Sequence, residues 1–137
     1  MGRIIKIDSN KKDRDAWMKA IVICLRELSK HNNINDDVKD LAAFIVLALE
    51  NIYKTIDSSI AAWEKRGYWL KAEHFKMEWD WTNVLSIKLK DALINEDWVI
   101  VSQLSSNIMG KLNKIKVSQN HHLGTPWVGA WEVLKKK

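Results

Sequence analysis

Residues 63–81, WEKRGYWLKAEHFKMEWDW, decide the fold. They hold four of the eight tryptophans (Trp63, Trp69, Trp79, Trp81), with Tyr68 and Phe75, among eight charged residues. At 100° per residue, Leu70, Met77, Trp81 and Val84 share one face of a helix. Tyr68, Ala72, Phe75 and Trp79 share a second face, roughly 150° away. A helix with two apolar faces must be covered from two sides. The pattern predicts either the middle member of a bundle or a wall shared by bundle and partner.

Gly67 reads as a break inside this stretch, the competing reading being one continuous rod through it. It follows Glu64-Lys65-Arg66, cations in a last turn before a glycine, which is how helices end. The chain is therefore expected to turn there and run back as a helix over 68–94. Upstream lies the longest apolar pattern of the sequence. Val38, Leu41, Ile45, Leu49, Ile52, Ile56, Ile60 and Trp63 keep one helical phase, and Asn35 or Asp36 stands ready to cap the start. Phe44, Val46 and Leu47 lie off that stripe, so the first half of this helix is apolar nearly all round. Such a half is either deeply buried or meets another subunit.

The remaining elements follow the same reading. Trp17, Ile21, Cys24, Leu25 and Leu28 form the stripe of a first helix starting near Ser9 or Asn10, and residues 1–9 read as a short strand or loose arm. Asn95-Glu96-Asp97 opens a fourth helix with the stripe Val101, Leu104, Ile108, Leu112 and Ile115, in which Gly110 would permit a close neighbour. Thr125-Pro126 reads as an N-cap and first helical residue of a short last helix carrying Trp127, Trp131 and Leu134. The prediction is an all-α, mainly antiparallel bundle of four longer helices plus a short C-terminal capping helix. At 137 residues the chain forms one domain, 1–137.

Composition narrows the surroundings. The longest uninterrupted apolar run, Leu41 to Leu49, is far short of the ~20 residues a bilayer crossing needs, so no membrane partner is expected. One cysteine cannot form an internal disulfide, and a reducing cytoplasm is the simplest home. Residues 1–109 balance sixteen Lys/Arg against sixteen Asp/Glu, whereas 110–137 hold six lysines against Glu132 alone. The net charge of +5 therefore sits in Lys111, Lys114, Lys116 and Lys135 to Lys137. This is a neutral bundle with a basic end (111–137), and nucleic acid is a possible partner for that end.

No motif names a reaction. Lys71, His74 and Glu78 lie between the two apolar faces at i, i+3 and i+7, where His74 and Glu78 can hydrogen-bond and form a small-molecule site. Asp36-Asp37-Val38-Lys39-Asp40 matches an Asp-Asp-x-x-Asp magnesium motif, but acids belong at a helix N-terminus in any case. Arg26 and His31 have the Arg-x4-His spacing that resembles small helical ribonucleases, where imidazole acts on the 2′-hydroxyl and arginine steadies phosphate. His121-His122 alone make no metal site, and neither metal nor cofactor is expected. Cys24 lies on a core stripe and reads as filler.

The function these residues support is a non-enzymatic helical interaction or assembly module that self-associates, through the aromatic stretch (Trp69) and the apolar-all-round half of helix two (Phe44). The alternative is a nucleic-acid-associated helical protein using Lys111, Lys114 and Lys116, or a ribonuclease using Arg26 and His31. A site around Lys71, His74 and Glu78 comes third.

Overall fold

The computed structural model describes residues 2–118 and 123–137, with residues 2–9 described by backbone alone. Five helices follow one another: α1 (Gly2–Leu28), α2 (Asp36–Lys65), α3 (Trp69–Ile94), α4 (Trp98–Lys111) and α5 (Ala130–Lys135). The described residues include no strand. The all-α bundle with a short last helix stands.

α2 is the centre of the molecule, with α1, α3 and α5 packed on it; α4 lies on α3 and touches α1. Asn35 caps α2, its Oδ1 accepting from Val38 N–H at 3.0 Å, with Asp36 and Asp37 in the first turn, where the helix dipole favours acids. The predicted stripe is the core: Leu41, Ile45, Leu49, Ile52 and Ile56 are all inaccessible to solvent. The off-stripe residues Ala42, Ala43, Phe44 and Val46 are buried as well. The chain's own helices thus cover most of the half of α2 that is apolar all round, with Leu47 half-buried.

The α2–α3 turn closes as the glycine predicts. Gly67 has φ +80°, its N–H donates to Glu64 C=O at 3.0 Å, and Tyr68 N–H reaches back to Trp63 C=O at 2.9 Å. This paired arrangement satisfies the end of α2 and needs a left-handed residue at its centre. The α3–α4 turn repeats it with Asp97 N–H on Ala92 C=O and Glu96 N–H on Leu93 C=O, so that Glu96 is left-handed at φ +54°.

Several details differ from expectation: among them, α4 ends at Lys111, before Leu112 and Ile115 of its expected stripe. α1 already runs from Gly2, so residues 2–9 are neither strand nor loose arm. Its register is set by Asn10 donating to Ser58 at 3.2 Å and Arg14 to Thr55 at 3.5 Å. Gly110 faces open space, with no neighbour packed against it. Proline does not open the last helix: residues 126–129 form turns, and α5 starts at Ala130 after a left-handed Gly129. Its start is capped from a distance, because the Asp40 carboxylate accepts from Gly129 N–H at 3.1 Å and Trp131 N–H at 3.0 Å. Asp40 is therefore spent on holding α5 to α2.

Candidate interaction surface

α3 places its two apolar faces in different environments. The inner face packs on the bundle: Ala72 is buried, and Phe75 meets Trp63 edge-on at 4.7 Å between ring centroids. Arg14 of α1 crosses above, its guanidinium 5.2 Å from the Phe75 ring and 5.8 Å from Trp79. Partial burial there pushes the Arg14 pKa below its ordinary value, against the raising pull of Asp15 and Glu78. The outer face is uncovered. Leu70 is 71% exposed, Met77 70% and Ile87 60%, and Val84 and Ile94 are exposed too. α3 is thus a wall of the bundle and not its middle member.

Trp79 and Trp81 do not respect the angle between their backbone positions. Both are half-buried and their rings stack at 6.3 Å with 23° between planes. Long side chains have bent round the helix and met. Lys111, at the end of α4, brings its Nζ to 6.0 Å from the Trp81 ring and closes that edge.

At the α2–α3 end lies an open groove of ≈ 800 Å³, lined by Trp63, Tyr68, Trp69, Lys71, His74 and Glu78 among others. Trp69 is 64% exposed. Lys71 folds back over the Trp63 ring, with Nζ at 4.8 Å. His74 and Glu78 are exposed, and no ion pair joins them among the described residues. The three polar residues share the groove without forming a hydrogen-bonded unit, which leaves no oriented base. Phe44 stands apart from this surface, buried against Trp17 with centroids 6.0 Å apart. It is a core residue and cannot contact a partner.

Neither a protein-family model, nor a curated protein, nor a solved structure matches this chain. The surface must be read from its own chemistry.

The basic end divides into two groups on different elements. Lys111, Lys114 and Lys116 lie at the end of α4 and in the segment after it, which Arg26 pins to α1 by donating to Val117 C=O at 2.8 Å and Ser118 C=O at 3.5 Å. Lys135 pairs with Glu132 at 3.1 Å, and Lys137 with Glu50 at 3.3 Å. Lys114, Lys116 and Lys136 are exposed. Because Arg26 holds the 117–118 backbone, and His31 sits beyond the end of α1, the Arg-x4-His pair builds no joint phosphate site. His121 and His122 lie outside the described residues. Cys24 is fully buried, and burial, reinforced by Glu27, pushes its thiol pKa up to about 12, so it serves as packing.

Proposed function

We propose that this chain is a non-enzymatic helical assembly module that self-associates through the outer face of α3. The observation that carries the reading is the exposed apolar seam along that helix. Leu70, Met77 and Val84 stand seven residues apart, and Ile87 and Ile94 continue at three and ten beyond Val84. That is the a/d spacing by which one helix receives another. Glu73, Asp80 and Asp91 take the remaining seam positions.

A second copy of α3 is the partner this seam suits. Placed antiparallel about a two-fold axis near Val84, it brings Asp80 of one copy towards Lys88 of the other. Isologous pairing of this kind is the commonest form of self-association. Exposed apolar area of this extent is what interfaces cover.

The sole native thiol, Cys24, is buried and protonated, so an introduced cysteine would react alone. Val84→Cys is expected to form disulfide-linked dimers on mild oxidation, and adding Met77→Glu and Ile87→Glu should abolish them. Equal cross-linking with and without the glutamates would contradict the proposal. Nucleic-acid binding by the basic end is the competing function, and it requires no such cross-link.

A further inference from the structure

No helix among the described residues is long and apolar enough to cross a membrane, but resting on a lipid surface needs only an exposed apolar tip beside cations. The α2–α3 turn is such a tip. Tyr68, Trp69 and Leu70 follow one another and all are exposed, and Lys65, Arg66 and Lys71 flank them, exposed as well. We propose that residues 65–71 form a docking tip for an anionic lipid surface.

The tip is built before it binds. Gly67 in its left-handed conformation and the two backbone bonds to Glu64 and Trp63 hold the turn, so no segment has to be ordered on contact. Tryptophan and tyrosine have an apolar body with one polar group, which suits the boundary between headgroups and acyl chains. Lys65 and Arg66 supply cations at the same depth, with Glu64 the one acid between 64 and 71. Lys71 is drawn back over Trp63, which leaves the first two as the headgroup contacts.

Charge also sets the direction of approach. The outer face of α3 carries Glu73, Asp80 and Asp91 among its apolar residues. Lys76, Lys88 and Lys90 flank these acids, so a helix lying flat offers an anionic surface no net positive charge. Along the α2–α3 hairpin, net positive charge beside exposed apolar side chains is found at the tip, so the hairpin stands end-on and the seam proposed above for self-association stays free. An acidic protein surface is the other class of partner the tip could meet, and the lipid is favoured because three consecutive exposed apolar side chains fit a planar interface without a shaped pocket.

The full chain is mixed with sedimentable vesicles of phosphatidylcholine alone, or of phosphatidylcholine with about 30% phosphatidylserine. Wild type is expected to pellet with the anionic vesicles and about tenfold less with the neutral ones. Lys65→Glu with Arg66→Glu, and separately Tyr68→Ala with Trp69→Ala, should each lose most of the anionic binding. All four side chains are exposed, so both variants keep the wild-type melt, and the comparison of the two vesicle types stands without them. Equal binding to both vesicle types, or binding kept by either variant, would overturn the proposal, the latter assigning adsorption to the C-terminal lysines. Absence of wild-type binding would overturn it too and point to a protein partner at the tip.

Discussion

Asp40 shows how one side chain can serve two helices. It lies near the start of α2, where negative charge is welcome, and it accepts the N–H groups of Gly129 and Trp131 that open α5. Asp40→Ala should lower stability by about 1–3 kcal/mol, since two partly buried donors lose their acceptor, with Asp40→Asn losing less. Urea melts of the three proteins measure it, and an unchanged midpoint for the alanine variant would show that packing alone holds α5. Sequence reading placed an acid here correctly and missed its partner, because helical periodicity speaks of neighbours three and four residues away and these are 89 and 91 away. Glu96 offers the opposite case. A side chain at φ +54° is strained where glycine is not, and its contact with Lys39 is 3.9 Å long and exposed. Glu96→Gly is expected to raise stability by about 1 kcal/mol, read as a higher thermal midpoint. A lower midpoint would show that the ion pair outweighs the strain.

At the scale of elements, the helices and their order were legible because apolar stripes and glycine signals agreed. Gly67 is the clearest instance: the cations before it and the backbone bonds across it tell the same story. The extent of α1 was not legible, since Ile5 and Ile7 alternate like a strand while the backbone is helical from Gly2. The environment of α3 was legible only in part. Two apolar faces were plain in the sequence, but which one the bundle would cover depends on where α1 and α2 lie. The tryptophans show the limit of counting angles, since Trp79 and Trp81 diverge at the backbone and stack at their rings. Each is half-buried, so Trp79→Ala and Trp81→Ala should cost about 2 kcal/mol apiece, less than the ~3–5 of a fully buried tryptophan. Because the rings touch, the double variant should cost less than the sum of the two, and strict additivity in a double-mutant cycle would contradict the stack.

For the molecule as a whole, the question is which surface meets the partner. Sequence alone ranked the contacts of Trp69 and Phe44 first, the lysines of the basic end second and the His74 group third. Folding separates them. Phe44 goes into the core, two of the terminal lysines are taken up by Glu132 and Glu50, and the outer apolar residues of α3 stay exposed. The lysines of the basic end fall in two groups on different elements. If self-association and not phosphate binding is the function, gel shifts with duplex DNA should show no complex at 200 mM salt, where counterion release favours binding less than at 50 mM. A salt-resistant complex would move the function to the basic end.

Self-association through α3 is the central claim, and sedimentation velocity at tens of micromolar tests it most directly. The wild-type chain of 15.9 kDa is predicted to sediment at about twice its mass, and the Met77→Glu, Ile87→Glu variant at the monomer mass with an unchanged thermal melt. A wild-type monomer, or an oligomer that the two glutamates leave intact, would contradict it.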